Sequence, residues 1–554
     1  MKGEVTVKSI RIQNVRSLKD TGDIQMLPIN ILVGQNSSGK STFLRTLPLL
    51  KQSINKRTDG PLLWAGDVDD YVDFGSFQET VTNDGSNNII LSFGIPNNAF
   101  TDASYSFYYN RETMEQIREF LGEYDILTYS ITIQRNSRKR ESISVVHLES
   151  KMHDVAIRDI KTNKVAEKVL IDGREVVDSR RIKESDAVNN EIYYRPSYRY
   201  SELFGFVIPL ISYQALELFE SIKRWLSEAE HNEIEVDNYS RYRTQSAFST
   251  ALELIGACLC YNIPIDAISA KQRQTSKSTL GKEEMTWLIR ISEYINAADI
   301  QDKINAKDLA ILSFSFSILG PVENYIKSYF NQVHYIAPLR ATAERYYRLR
   351  NLSLSEVDYQ GKNLAMFLNS LSLKRMKSFQ EWTEGLFGFH ALVKESGGHL
   401  SVGISRANNN FSVNLSDTGF GYSQILPIIT QLWDLATRER QNRVSTAPLV
   451  IAIEQPELHL HPALQQKLAK AFIAAIDLAK KHHYQLQLIL ETHSETIVNY
   501  FGRAIENNVI SKENVQVLMF DRDPETMYTI VRRSEFDNDG YLSNWPIGFF
   551  APKE

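Results

Sequence analysis

Cysteine and long apolar runs are scarce in this chain of 554 residues. The two cysteines, Cys258 and Cys260, lie two positions apart in a segment of helical pattern, so their side chains point to different faces of the helix. This arrangement disfavours both a disulfide framework and a zinc site. No apolar run reaches the roughly 18 residues that a membrane span requires, and no early apolar segment of signal-peptide type is present. We therefore expect a cytoplasmic protein in a reducing compartment, without a membrane role.

A strong charge of one sign is also lacking, because the formal net charge is −5. That value gives no overall signature of nucleic-acid binding. Local basic clusters leave nucleic acid open as a partner, since arginine neutralises phosphate and tyrosine stacks on bases. The alternative for each cluster is a solvated turn or Arg–Tyr packing within the fold. The clusters lie at residues 135–140, 194–200, 239–243 and 344–350.

The most informative stretch is residues 34–42, GQNSSGKST, which fits the phosphate-loop pattern G-x-x-x-x-G-K-[ST]. The apolar run at 27–33 predicts a buried strand before it, and residues 43–50 open a helix behind it. In that setting the loop amides cradle phosphate oxygens, Lys40 reaches the β- and γ-phosphates, and the Ser41 hydroxyl holds Mg²⁺. We therefore predict that the chain binds ATP and Mg²⁺. The predicted ATP-binding residues are Asn36, Ser37, Ser38, Gly39, Lys40, Ser41 and Thr42.

A candidate Walker B acid lies in the last third of the chain. The apolar run at 449–453 predicts a buried strand that ends in Glu454, where a carboxylate would hold Mg²⁺ opposite the phosphate loop. A strand-end glutamate alone is more often a helix cap or a surface charge. The presence of a phosphate loop favours the functional interpretation.

Two other segments carry polar residues suited to phosphate. The run at 486–490 predicts a second core strand, and His493 follows it at the same sheet edge, where it could reach a γ-phosphate or the attacking water. The loop at 416–424 contains Gly421 and Ser423 and opens a helix whose N-terminus suits anions. A plain helix cap is the alternative there.

The order of these patterns predicts a split α/β fold. Period-two segments at about 88–175 predict antiparallel strands, and a helical period follows at about 200–333. Alternating strands and helices at 334–554 predict a parallel sheet. The simplest architecture is one P-loop ATPase head built from residues 1–95 and 334–554. Residues 96–333 are then an insertion of strands to about residue 175 and helices beyond.

Four segments, taken in order, resemble those of ABC-type ATPase heads of the RecF/SMC/OLD-like group. They are residues 34–42, 416–424, 454–462 and 491–495. Shorter likenesses at 73–77, 337–340 and 545–550 support this resemblance, which covers roughly residues 1–95 and 334–550. It implies a parallel-sheet core with an antiparallel β lobe. It says little about the large, mostly helical insertion.

The resemblance also implies roles for individual residues. ATP and Mg²⁺ would bind between two protomers of a homodimer or a higher homo-oligomer. Gly421, Ser423 and Gln424 would form the signature loop that reaches the γ-phosphate held by the other subunit, with residues 458–461 as the D-loop and His493 as the switch histidine. The implied metal-site residues are Ser41, Glu454 and the candidate Q-loop glutamine, Gln78.

Gln455 departs from this family pattern, which places a catalytic glutamate immediately after the Walker B acid. An amide cannot accept a proton as a general base, although it can orient water. Three explanations are open. Glu457 could act as the general base, or His493 could carry more of the catalysis. In the third, hydrolysis is slow and the head acts as an ATP-gated clamp. We expect slow but real hydrolysis. The candidate catalytic residues are Glu454, Gln455, Glu457 and His493.

Standalone bacterial members of this group often pair with a nuclease or toxin in phage defence. The chain resembles the ATPase subunit of Septu-type systems, including retron-associated ones, and this implies an HNH-type nuclease or another effector as partner. The chain itself has no H-N-H constellation. Its Asp521–Arg–Asp523 sequence is either a surface turn, which we favour, or a loop that binds metal weakly. One alternative is a RecF/SMC-like DNA-binding ATPase of repair, although 200–333 lacks a sustained heptad stretch. The other is a non-hydrolysing scaffold that ATP holds together.

Overall fold

A computed structural model describes most of the chain. The described residues are 7–56, 58–66, 70–96, 127–135, 140–158, 168–178, 218, 221–222, 224–225, 238–264, 282–350, 354, 356–406, 412–438 and 447–544. Four features of the sequence lie outside the described residues. They are a strand predicted at 105–109, a helix predicted at 113–121, the arginine–tyrosine cluster at 194–200 and the family-like segment at 545–550.

The strands are β1 (Ser9–Val15), β2 (Leu18–Asp20), β3 (Ile24–Gln25), β4 (Ile29–Gly34), β5 (Asn88–Ile95), β6 (Leu127–Arg135), β7 (Glu141–Glu149), β8 (Asp154–Arg158), β9 (Lys168–Ile171), β10 (Arg174–Asp178), β11 (Val333–Ile336), β12 (Tyr347–Arg348), β13 (Phe389–Ser396), β14 (His399–Arg406), β15 (Ser412–Asn414), β16 (Leu449–Glu454), β17 (Leu486–Glu491), β18 (Val515–Arg522) and β19 (Thr529–Ser534). The α-helices are α1 (Lys40–Asn55), α2 (Phe77–Thr80), α3 (Asn238–Tyr261), α4 (Lys282–Ala297), α5 (Ile300–Asn331), α6 (Leu364–Ser370), α7 (Leu373–Phe387), α8 (Phe420–Thr437), α9 (Pro462–Lys481) and α10 (Glu495–Glu506).

The strand before the phosphate loop, β4, lies inside a six-stranded sheet of order β11-β16-β17-β4-β18-β19. All its neighbouring pairs are parallel except β18 with β19. Every residue of β4, β16 and β17 is buried, which explains why these strands appear as mostly apolar runs in the sequence. The carboxyl ends of parallel strands meet at one sheet edge, so the ends of β4, β17 and β16 lie together.

Two hydrophobic cores cover the two faces of this sheet. Successive residues of β4 enter different cores, because strand side chains alternate between faces. Leu32 packs in the core that contains residues of α1 and α5. Ile31 and Val33 pack in the core that contains residues of α8, α9 and α10. This arrangement confirms the predicted α/β head with a parallel-sheet core.

The predicted antiparallel lobe is a nine-stranded sheet of order β10-β9-β8-β7-β6-β5-β1-β2, with β3 paired to β1. Its strands alternate buried and less buried residues, as β6 shows. Strand β5 pairs with β1 on one side and with β6 on the other. The strands of residues 96–333 therefore continue a sheet that begins at the N-terminus. The division of the chain at 95/96 and 333/334 stays a prediction.

Within residues 96–333, the described helices α3 and α4 pack against α5, a helix of 32 residues. By length and mean hydropathy α5 alone among the described residues could cross a membrane, but 78% of its apolar window is buried inside the protein. The two cysteines lie in α3, where both are free and buried. Because Cys258 and Cys260 point to different faces of α3, both of those faces are covered by protein.

One predicted helix is interrupted. The sequence pattern indicates a single helix over 362–386, whereas the structure has α6 and α7 separated at Leu371 and Ser372. Ser372 is the N-cap of α7, and its hydroxyl accepts a hydrogen bond from the Arg375 backbone N–H. A serine that competes for backbone hydrogen bonds favours a new helix start over an uninterrupted helix.

Candidate nucleotide site

Residues 34–39 form the turn between β4 and α1, and two glycines are required there. Gly39 is the N-cap of α1 with φ +99°, a left-handed conformation that favours glycine. Gly34 has φ +154°, and a Cβ at this position would overlap the carbonyl oxygen of Phe520 in β18. Asn36 and Ser37 are exposed at the crest of the turn. The loop thus has the tight geometry that the phosphate-loop pattern requires.

The side chain of Lys40 curls over this loop. Its Nζ donates to the carbonyl oxygens of Gly34 at 3.0 Å and Gln35 at 2.7 Å. Lys40 is 3% exposed, and burial lowers the pKa of its ammonium group despite the opposing charges of Glu491 and Glu457. The cation is therefore held at the loop, where a phosphate would compensate it.

The hairpin of β18 and β19 braces the phosphate loop from the side. The Arg522 guanidinium donates to the Ser37 carbonyl at 3.1 and 2.9 Å, and the Thr529 hydroxyl donates to the Ser38 carbonyl at 2.8 Å. The Asp523 carboxylate accepts hydrogen bonds from the backbone N–H groups of Glu525 and Thr526. Asp521 and Arg522 therefore end β18, and residues 523–526 form the turn of a hairpin that supports the loop.

Two glutamates meet at the sheet edge beside the loop. Glu454 and Glu491 end β16 and β17, are cross-strand neighbours, and are each 2% exposed. The Ser41 hydroxyl donates to Oε1 of Glu491 at 2.7 Å. Burial, followed by the charge of Glu454, raises the pKa of Glu491 to about 7. The acid that contacts the phosphate-loop serine is therefore Glu491, to which the sequence pattern assigned no role.

Glu454, the predicted Walker B acid, is held in a tight network. The Arg45 guanidinium donates to both of its carboxylate oxygens, with both distances 2.7 Å. The Tyr335 hydroxyl also donates to Oε1 at 2.8 Å. The bidentate bond raises the pKa of Arg45, which ties α1 to the end of β16.

Glu457, a candidate catalytic residue, has both carboxylate oxygens occupied. The Thr492 hydroxyl donates to Oε2 at 2.8 Å, and the His493 backbone N–H donates to Oε1 at 2.7 Å. Burial raises the pKa of Glu457. In this arrangement Glu457 fixes the segment that carries His493.

His493 itself is exposed at the end of β17. Partial burial and then the charge of Lys40 lower the pKa of its imidazole. The predicted switch histidine follows β17, which lies directly beside β4, the strand that leads into the loop of Lys40. The structure therefore brings together Lys40, Ser41, Glu491 and His493, with Glu454 next to them.

The predicted signature loop lies against the predicted D-loop. A Cβ on Gly421 would approach the His459 carbonyl oxygen and the Leu460 and Leu464 side chains at 3.6 to 3.8 Å. Phe420 is 48% exposed and its ring contacts that of His459 with the centroids 5.1 Å apart. This pair forms an exposed surface at the start of α8.

Ser423 and Gln424 lie inside the protein, 5% and 1% exposed. The Ser423 hydroxyl donates to the carbonyl of Phe420, and the Arg340 Nε donates to the Gln424 side chain at 3.2 Å. Arg340 also donates to the backbone carbonyls of Glu454 and Gln455. Helix α8, which carries the predicted signature residues, is thus connected through one buried arginine to the end of β16.

Two other predicted site residues make no side-chain hydrogen bond within the described part of the chain. Gln78 is exposed on α2, and its amide has no hydrogen bond within the described part of the chain. Gln455 has a left-handed φ of +43°, and its backbone N–H donates to the Glu491 carbonyl at 2.8 Å. The backbone of Gln455 therefore joins the ends of β16 and β17.

One of the predicted arginine–tyrosine clusters lines a cavity. A cavity of about 810 Å³ is bordered by Tyr347, Arg348 and Arg350 from residues 344–350, together with Lys362 and Tyr335. Tyr335 thus faces this cavity and also contacts Glu454. For the clusters at 135–140 and 239–243 the side chains are mostly outside the described part of the structure.

Four residues of the site were not predicted from the sequence: Arg45, Tyr335, Arg340 and Glu491. Arg45 follows Ser41 by four positions on α1, so a helical projection places both on one face. Glu491 ends a buried apolar run, as Glu454 does. Arg340 ends the family-like segment 337–340, to which no role was given. Tyr335 carries no comparable local signal, because its contact with Glu454 comes from a distant part of the chain.

Comparisons with known proteins identify similar chains. A family model described as "AAA ATPase domain" matches residues 6–498. The curated protein Endonuclease GajA of Bacillus cereus (strain HuB5-5) is 30% identical over 112 residues, which are 19% of this chain and 16% of that protein. This chain thus matches only a small part of the length of that relative.

Two solved structures were also found. An SMC head bound to the C-winged helix domain of ScpA is 10% identical with a TM-score of 0.34, covering 96% of this chain and 98% of that one. The SMC head domain from Thermotoga maritima is 7% identical with a TM-score of 0.33, covering 95% of this chain and 98% of that one.

Proposed function

The chain belongs to the AAA ATPase domain family, and on this basis we propose that it binds ATP with Mg²⁺ at the site described above and hydrolyses it slowly. The observation that carries the proposal is the meeting of Lys40, Ser41 and two buried glutamates at one edge of a parallel sheet. Such an edge is where P-loop enzymes assemble a cation, a hydroxyl and a carboxylate around phosphates.

We further propose that two copies of the chain complete the site. The exposed surface of Phe420 and His459 lies beside Gly421, and Leu339, 70% exposed, precedes the buried Arg340. Exposed apolar side chains next to a glycine-containing helix start suit contact with a second copy that carries a bound phosphate. Ser423 and Gln424 then support this surface from inside, whereas Gly421 presents the backbone.

The proposed biological role is the regulation of a partner nuclease, or another effector, in defence against phage. Its support is the Septu-like resemblance of the motifs and the limited similarity to a protein named as an endonuclease. In this proposal, ATP binding and hydrolysis at the site described above provide the ATP-dependent step of the regulation.

A test of this role uses phage infection of bacteria that carry the gene with its neighbours. We expect the wild-type set to lower phage plating and the set with Lys40→Ala to lose that protection. A matched control is Lys467→Ala, which removes a lysine that also donates to a backbone carbonyl, that of Phe387. Equal protection by the Lys40→Ala and wild-type sets would contradict the role.

A DNA-binding ATPase of repair is the second candidate, and Arg348 and Arg350 are the residues that favour it. The cavity that they border has mixed charge, because its lining also includes Asp70, Glu344, Glu356 and Asp358. Direct binding of a short DNA duplex that weakens with salt and with Arg348→Ala would support this candidate. Absence of such binding together with phage protection would support the nuclease-regulating role.

Gln455→Glu separates slow hydrolysis from a scaffold that does not hydrolyse ATP. Because the variant supplies the general base that the family pattern has at this position, we expect phosphate release to rise by about 10-fold or more. The measurement is steady-state phosphate release with ATP and Mg²⁺. A scaffold that does not hydrolyse ATP would show no release above background for the wild type and no gain in the variant.

A further inference from the structure

The ATPases of this fold usually bind Mg²⁺ with the nucleotide, and the residues beside Ser41 suit such an ion. Among the described residues no group of three or more His, Cys, Asp or Glu side chains forms a metal site by itself. A phosphate-loop metal needs fewer protein ligands, since the nucleotide supplies oxygens and a hydroxyl and one carboxylate supply the rest.

Glu454 is poorly available as the metal carboxylate. Both of its oxygens accept hydrogen bonds from Arg45 at 2.7 Å, and Tyr335 adds a third donor at 2.8 Å. The guanidinium charge already neutralises the carboxylate. To coordinate Mg²⁺ directly, Glu454 would have to give up part of a buried bidentate pair.

Glu491 is placed differently. It ends β17, the strand directly beside β4, and its register partner in β4 is Leu32. Its Oε1 already accepts the hydroxyl of Ser41, the residue that the phosphate-loop pattern assigns to Mg²⁺. Glu491 is only 2% exposed, and its Oε2 is buried without a hydrogen-bond partner among the described residues.

A buried carboxylate oxygen without a partner is costly unless a cation or donor compensates it. A divalent ion next to Ser41 would satisfy Oε2 and reduce the repulsion between Glu491 and Glu454. The nearby cations Lys40 and Arg45 are occupied, one by loop carbonyls and the other by Glu454. The geometry therefore leaves Oε2 of Glu491 for an ion that arrives with the nucleotide.

We propose that Glu491 is the carboxylate that holds the nucleotide-bound Mg²⁺, directly or through a water, together with Ser41. Glu454 is then a positioning residue that links β16 to α1 through Arg45. This inference rests on the proposed ATP binding and assigns the metal contact within that site to a different acid from the one that the motif pattern indicates.

The test measures the metal rather than the reaction. Mn²⁺, a stand-in for Mg²⁺ whose free-ion spin-resonance signal falls on binding, is titrated into the full chain with bound ATP. ATP binding in EDTA is measured in parallel. For Glu491→Gln we expect ATP binding in EDTA to be kept and the Mn²⁺ affinity to fall about 10-fold or more. Ser41→Ala should act in the same direction.

Glu454→Gln is the comparison, and we expect it to lower the Mn²⁺ affinity by a smaller factor than Glu491→Gln. A Mn²⁺ affinity within about twofold of the wild type in Glu491→Gln, with a large loss in Glu454→Gln, would overturn the assignment. If Glu491→Gln does not fold, Glu491→Asp serves, since it keeps the charge and withdraws the carboxylate by one methylene. A lowered affinity in Glu491→Asp supports the proposal, and an unchanged affinity overturns it.

The same data separate this inference from the proposed function. If the wild-type chain does not bind ATP in EDTA or with Mn²⁺, the proposed nucleotide site itself is wrong. If ATP binds and the Glu491 variants keep the Mn²⁺ affinity of the wild type, only the metal assignment is wrong.

Discussion

Alanine in place of Lys40 is expected to abolish ATP binding at micromolar concentrations. The Lys40 Nζ is held at the loop by two backbone carbonyls, 3.0 and 2.7 Å away, and it would meet two phosphate groups there. Two charge-assisted hydrogen bonds of about 1.5–3 kcal/mol each correspond to a loss of about 100-fold or more in affinity. Equilibrium binding of a fluorescent ATP analogue measures the loss.

The fold of the Lys40→Ala variant should remain intact. Lys40 is a buried cation whose pKa is lowered by burial, so its removal takes away a desolvation cost as well as two hydrogen bonds. We expect a thermal unfolding temperature close to that of the wild type. Lys467→Ala, which loses a comparable lysine–carbonyl bond on α9, should keep the wild-type affinity. Tight ATP binding by Lys40→Ala would show that the phosphate loop is not the nucleotide site.

Arg45→Ala is expected to destabilise the head strongly. It removes both donors of the bidentate pair and leaves the Glu454 carboxylate, 2% exposed, with Tyr335 as its remaining donor. Breaking a buried pair costs about 3–5 kcal/mol, and we expect the lower end because the Arg45 side chain is 35% exposed. Thermal unfolding of the purified chain measures the change.

Two variants control this prediction. Arg45→Ala combined with Glu454→Gln should recover most of the lost stability, since no uncompensated charge stays buried. Arg345→Ala breaks a pair with Asp417 of similar length, 2.6 Å, between side chains that are 57% and 43% exposed. That loss should stay below about 1 kcal/mol. Equal unfolding temperatures for Arg45→Ala and Arg345→Ala would show that the Arg45–Glu454 pair is not the anchor of this edge.

The sheet and its order along the chain follow from local signals. The strands β4, β16 and β17 are mostly apolar because both of their faces are covered, and such runs are visible in a single sequence. The phosphate loop is visible because glycines at 34 and 39 and a lysine at 40 are required by backbone geometry and charge. These features are properties of short segments.

The partners of the site acids were not predictable in the same way. Arg45 and Glu454 are separated by 409 positions, and their pairing depends on how α1 lies across the sheet. Ser423 and Gln424 fit an anion-binding helix start in sequence, but the packing of α8 against Arg340 buries both side chains. The break between α6 and α7 depends on one serine whose capping hydrogen bond outweighs a continuing helical pattern.

The most direct test of the composite site is the mass of the particle by light scattering, with and without ATP and Mg²⁺, for the wild type and Lys40→Ala. If two heads close around ATP, the wild-type mass doubles or rises further with nucleotide, and the mass of Lys40→Ala does not change. A wild-type mass that is the same with and without ATP and Mg²⁺, at concentrations where ATP binds, would contradict the account of a nucleotide site shared between two copies.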